Sequence, residues 1–216
     1  MDQRLDALLA GLHWMGHDSF WVEGPPVIWF DPWKLDGRPG PADIVLVSHD
    51  HFDHCSPDDV DKLCGPHTEV FAPPAAALKL GGAHAVRVGE SVSVQGVEIL
   101  AVPAYNVDKF RAPGQPFHPK ASGHVGWVVD FGGLRLYHAG DTDLVPEMRD
   151  IECEIALLPV SGTYVMTIDE AVRAAELISP RVAVPMHYGD IVGYDSDGSM
   201  FAASYGGRSL VLKPER

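Results

Sequence analysis

Residues 48–54 read Ser-His-Asp-His-Phe-Asp-His and follow directly on the apolar run Ile44-Val45-Leu46-Val47. A short run that is apolar at every position suits a strand covered on both faces, inside a layered sheet rather than at its surface. The run ends where the polar residues begin, so the chain leaves the sheet there with a ligand-rich loop at the strand's end. Eleven histidines in 216 residues would put about 0.3 of them in six positions by chance, and this window holds three. His49 and His51 are two residues apart at the end of an extended segment, so both rings can point the same way. Asp53 and His54 lie in the following turn and can address a second position. Neutral imidazole and carboxylate are ligands for zinc and related divalent ions.

The rest of the chain is punctuated by 22 glycines and 18 prolines, which implies many short elements joined by tight turns. Helical patterning covers residues 2–12, and Ser56-Pro57-Asp58-Asp59 opens a second helix with a cap, a proline and two acids. A helix is expected over 74–80, another over 168–178 behind the Thr167/Glu170 capping box, and a short one near 198–205. Strands are expected around 14, at 19–23, 27–30, 43–47 and 69–72, then as a meander over 85–88, 91–94 and 97–102. Further strands are read at 125–131 and 134–138, joined by Gly132-Gly133, and at 155–158, 182–184 and 209–212. Residues 103–123 form a long Pro/Gly-rich loop, and a loop of that length is often functional. Strand–helix units in each half suggest two mixed sheets packed face to face with helices outside, in one domain over 1–216.

Sixteen basic against thirty acidic residues leave a net charge of −14, a field that repels long nucleic acid. No apolar run approaches a membrane span, and the N-terminal residues lack the pattern of a signal peptide. Cys55, Cys64 and Cys153 are odd in number and form no C-x-x-C pair, which suits reduced thiols in a cytoplasmic protein.

Two later segments repeat the pattern of a ligand straight after a strand. Gly140-Asp141-Thr142-Asp143 follows 134–138, and His187 follows the short run at 182–184. Ser161-Gly162-Thr163-Tyr164 follows 155–158, so Tyr164 is a candidate for lining a pocket. Lys109, Arg111 and Lys120 in the long loop are candidates for gripping an anionic group. His13, His67, His84 and His138 read as surface or structural residues.

The order H-x-H-x-D-H at His49–His54, then Gly140-Asp141, then His187 resembles the metallo-β-lactamase superfamily. Gly16-His17, Asp31-Pro32, Ala104-Tyr105-Asn106, His118-Pro119-Lys120 and Leu158-Pro159 are similar to the small metal-dependent hydrolases related to ascorbate-6-phosphate lactonase. The resemblance implies an α+β fold, a four-layer αββα sandwich of two mixed β-sheets with a dinuclear metal site along one edge. It implies that His49 and His51 hold one cation, that Asp53, His54 and His187 hold the other, and that Asp141 bridges them. Many members supply a third histidine to the first cation where this chain has Ala104-Tyr105-Asn106. His118 is favoured as the replacement, with His124 and Asn106 as alternatives. His17, Asn106, Lys120 and Tyr164 are the candidates for substrate contact, and Asp50 or Asp143 for fixing histidine tautomers.

The implied chemistry is hydrolysis by a metal-bound hydroxide, with Asp53 as orienting base and two divalent ions, zinc first and manganese, iron or nickel as alternatives. The expected partner is a small, anionic metabolite carrying a lactone or phosphoester bond, and a homo-oligomer is compatible with the sequence. A phosphodiesterase or nuclease, and a non-catalytic metal-binding protein, are the competing readings.

Overall fold

The computed structural model describes residues 2–37 and 39–215. The first sheet holds β1 (Leu12–Gly16), β2 (Ser19–Val22), β3 (Ile28–Phe30), β4 (Ile44–Leu46), β5 (Glu69–Ala72) and β6 (His84–Ala85), in that spatial order. The first three strands pair antiparallel and the rest parallel. The second sheet contains β7 (Ser91–Val94), β8 (Val97–Pro103), β11 (Val125–Asp130), β12 (Arg135–His138), β13 (Ile155–Pro159) and β14 (Val182–Met186). Its order is β14-β13-β12-β11-β8-β7, parallel from β14 to β12 and antiparallel beyond. Both sheets are mixed, as the αββα sandwich requires.

The alternation within β4 shows how the layers are built. Ile44 and Leu46 enter the large core shared by the two sheets. Val45 and Val47 point the other way, into a second cluster with Val60 and Leu63 of α2 (Pro57–Leu63) and Ala76 of α3 (Pro74–Leu80). The run is apolar throughout because each face has its own cover. On the outside of the second sheet, α4 (Ile168–Ile178) buries Ala171, Ala174, Ala175 and Ile178. Small residues at that spacing let the helix approach the strands closely. The Thr167/Glu170 capping box closes its N-terminus. The remaining helices are α1 (Gln3–Ala10), capped by the Asp2 carboxylate, and α5 (Asp197–Ser204).

Three elements differ from expectation. The meander over 85–102 is split: β6 completes the first sheet and β7 begins the far edge of the second. Gly89, at a φ of +86°, lies in the connection between them, where a side chain would be strained. The 103–123 loop contains a small hairpin, β9 (Phe110–Ala112) with β10 (Gln115–Pro116), and a 3-10 turn at Lys120–Ser122. In place of a strand at 209–212, Ser209 alone bridges to Ala183. The three cysteines are unpaired thiols.

Candidate metal centre

Every residue of the centre hangs from a strand end along one edge of the sandwich. His49, His51, Asp53 and His54 follow β4, Asp141 follows β12 and His187 follows β14. His118 comes from the segment after β10, and His17 from the β1–β2 turn. Strand ends at a common edge hold loops at fixed spacing, so residues far apart in sequence can converge.

All but Asp53 converge in overlapping groups; Asp53 lies outside them, its Oδ2 3.2 Å from His17 Nε2 and 4.0 Å from His54 Nε2. His49, His51, His118 and Asp141 each present a donor atom within 4.8 Å of one another. His17, His54 and His187 form a second group, and Asp18, His54, Asp141 and His187 a third. Asp141 faces both sides: its Oδ2 is 3.2 Å from His118 Nε2, and its Oδ1 is 3.2 Å from His187 Nε2 and 3.4 Å from His54 Nε2.

A second layer aims the rings. His54 Nδ1 donates to Asp31 Oδ2 at 2.8 Å. Ser48 Oγ donates to the same Asp31 oxygen at 2.6 Å, so it accepts from His49 Nδ1 at 2.9 Å. His118 Nδ1 donates to Asn106 Oδ1 at 2.9 Å. His187 Nδ1 donates at 3.0 Å to Ser161 Oγ, which itself donates to the Thr163 carbonyl. In all four the proton is placed on Nδ1, leaving the Nε2 lone pair directed inward.

That inward set contains acceptors facing acceptors. His118 Nε2, with its proton on the far nitrogen, faces the carboxylate oxygen Asp141 Oδ2 at 3.2 Å. The buried atoms His49 Nε2, His54 Nε2 and Asp141 Oδ1 have no hydrogen-bond partner among the described residues. Lone pairs this close, in so buried a place, repel unless positive charge lies among them. The donor set of imidazoles and carboxylates therefore fits divalent cations.

Electrostatics follow from crowding. Burial, with His54 nearby, pushes the His49 pKa well down. Burial also lowers His51, followed by the charge of His118. For His54 burial is outweighed by Asp141 and Asp31, and its pKa rises well above the usual range, so without a cation its Nε2 holds a proton that a bound metal would displace to free the lone pair. Burial would raise Asp141, but His187, His54 and His118 hold its carboxyl well down. Asp53 is pulled down to about 2 against burial, chiefly by its 3.2 Å hydrogen bond from His17 Nε2. His17 is itself lowered to about 4 by burial and by His187, so it is neutral near pH 7.

The remaining candidates fall on different sides of the centre. Tyr164 lines the cleft over the floor formed by His51, Asp53, His118 and Asp141. Asn106 faces His118 and donates to Asp143 at 3.0 Å, so it supports a ring from behind. His124 lies with its Nε2 3.7 Å from Asp50, outside the donor groups. Lys120 is turned away: it pairs with Glu147 at 2.6 Å and lines a separate cavity beside Tyr105. Lys109 is bound to Glu170 and Asp108. Asp143 supports Asn106, and Asp50 pairs with Lys79, so neither bonds the rings named above. Acceptors from three other strand ends, Asp31, Ser48 and Ser161, do so with Asn106, because they lie directly behind the rings.

Two buried acids have no role that sequence reasoning foresaw. Asp31 follows the apolar β3 as His49 follows β4, and that shared pattern could have pointed to it. Asp18 is fully buried, neither carboxyl oxygen has a hydrogen-bond partner among the described residues, Oδ2 lies 3.7 Å from His54 Nδ1, and burial pushes its pKa well up. No local signal distinguishes it. His138 is structural: its Nε2 donates to the Asp18 carbonyl at 2.9 Å.

The profile of the Beta-lactamase superfamily domain matches residues 11–187. A UPF0173 metal-dependent hydrolase from Methanosarcina mazei is 32% identical over 200 residues, covering 85% of this chain and 86% of that protein. One from Methanopyrus kandleri is 35% identical over 208 residues, covering 87% and 88%. Among solved structures, a Parabacteroides distasonis protein described as a metal-dependent hydrolase superposes with a TM-score of 0.81 at 32% identity, covering 93% of this chain and 91% of that one. The chain belongs to the metallo-β-lactamase superfamily and, within it, to the UPF0173 metal-dependent hydrolases.

Proposed function

We propose that the chain hydrolyses a lactone or phosphoester bond of a small, anionic metabolite, using two divalent cations, zinc first among the candidates. The observation that carries this reading is the shared carboxylate. Asp141 turns one oxygen toward His118 and the other toward His54 and His187. His49, His51 and His118 would hold one cation, Asp53, His54 and His187 the other, with Asp141 common to both. Cations held there supply Lewis acidity and lower the pKa of water toward about 7.

The chain's own residues do the rest. Asp53 is ionised at neutral pH and lines the cleft, so it is positioned to orient a water and receive its proton. His17, neutral and fully buried, donates to Asp53 Oδ2 and keeps that carboxylate from rotating. Asn106 and Ser161 hold the rings of His118 and His187, so the donors need little rearrangement. The charge of −14 disfavours a long polyanionic substrate.

The test is elemental analysis together with turnover on a lactone, phosphomonoester and phosphodiester panel, before and after EDTA. Near two equivalents of metal, with activity lost to EDTA and restored by zinc, are expected. Full activity in the stripped protein refutes the reading.

A further inference from the structure

Two features of the cleft take no part in holding metal. One is its apolar wall. The cleft, of about 480 Å³, is flanked by Phe52, Phe117, Tyr164 and Ile191. Phe52 is 69% exposed, Ile191 45% and Tyr164 41%. Single exposed apolar side chains are ordinary, but several converging on one polar floor mark a binding surface. The wall is also braced. Phe117 meets Tyr164 edge to face with centroids 4.6 Å apart, and Phe52 meets Trp33 in the same way at 6.0 Å.

The other feature is Arg111, which lines the same cleft. Its guanidinium donates to the Phe117 carbonyl at 3.2 Å and lies 5.4 Å from the Phe117 ring. Neighbouring cations are neutralised: Lys109 by Glu170, Lys120 by Glu147 and Lys34 by Asp190. Among the described residues, no carboxylate is within ion-pair distance of Arg111. In a chain with thirty acidic residues, a guanidinium that lines this cleft without a carboxylate is set to receive an anion from outside.

We infer that the substrate has an apolar aryl or acyl body, packed between the Phe117/Tyr164 pair and Phe52/Ile191, and one oxyanion group received by Arg111. Only the placement of its scissile bond rests on the proposed hydrolysis. A polyhydroxylated sugar fits poorly, because its hydroxyls would lose water against apolar side chains that offer no hydrogen bonds.

The test is a calorimetric titration of the zinc-loaded protein with four hydroxamates, whose common head binds metal. These are acetohydroxamate, phenylacetohydroxamate, and phenylacetohydroxamates bearing a para-carboxylate or a para-phosphonate. The phenyl group is expected to tighten binding about tenfold over methyl, and an added anion about tenfold more. The tighter of the two anions identifies the group that Arg111 receives. In Arg111→Gln the ratio of charged to uncharged phenyl ligand should fall to about one. Equal affinity for methyl and phenyl, a charged-ligand advantage that survives in Arg111→Gln, or no binding by any of the four overturns the inference. Discrimination among the hydroxamates without EDTA-sensitive turnover would refute the proposed reaction and leave the recognition standing. Turnover without discrimination would do the reverse.

Discussion

Asp31→Asn puts the second layer under direct test. The Asp31 carboxylate is fully buried and accepts three hydrogen bonds: from Ser48 N at 2.6 Å, Ser48 Oγ at 2.6 Å and His54 Nδ1 at 2.8 Å. Asparagine keeps the size and tolerates the residue's φ of +41°, so the backbone is not the variable. It keeps one acceptor oxygen, however, and turns an NH₂ group toward donors. Each hydrogen bond to a buried charge contributes about 1.5–3 kcal/mol, and a donor left unmet costs about 1–3. Ser48 Oγ can rotate to relieve part of this, so a net loss of about 3 kcal/mol is expected. At roughly 2–4 °C per kcal/mol for a chain of this size, the melting point should fall by roughly 6–12 °C. Metal affinity should drop about 10–100-fold, because His54 is no longer held in the Nδ1–H form. Calorimetric melting of the stripped protein isolates the first effect, and competition with a zinc-responsive chelator reads the second. A melting point within about 2 °C of the parent, with affinity within about twofold, would refute the claim that Asp31 organises the centre.

Other outcomes follow from the same geometry. His118→Ala should lose about one equivalent of metal while His124→Ala keeps both, read by elemental analysis of identically purified proteins; the opposite result would transfer the ligand role to His124. Burial and the charges of His118 and His51 hold His124 at about 4, below its unfolded value of 6.5. A histidine with a depressed folded pKa contributes stability above pH 6.5 that is lost as pH falls toward 4. His124→Gln should therefore flatten the stability of stripped protein against pH over that window, measured by urea denaturation; an unchanged slope contradicts it. Thr167→Ala removes the cap that accepts from Glu170 N at 3.2 Å and should cost about 1 kcal/mol in the same assay, with metal content unchanged.

Much was legible along the chain because it is local. The apolar run closing on His49–His54 announces a buried strand with a ligand loop, and its alternating faces need two covers, hence layers. Capping chemistry at Ser56 and Thr167 marks two helix starts, where the structure has α2 and α4. The class of fold and the chemical character of the centre were therefore readable before any tertiary contact. What was not readable depends on which loops meet. Nothing near Lys120 in sequence says that Glu147 draws it away from the cleft while Arg111 is left facing it. Likewise β6 and β7 are close in sequence yet belong to different sheets. The second layer is the clearest case. Asp31, Asn106 and Ser161 come from three different strand ends, and each bonds a histidine 12 to 26 residues away. Local residue preference and hydrophobic period act over a few residues, so they set the strands and the ligand types. Hydrogen-bond partners and ion pairs are chosen by distance in space, and that is decided only when the two sheets close on each other.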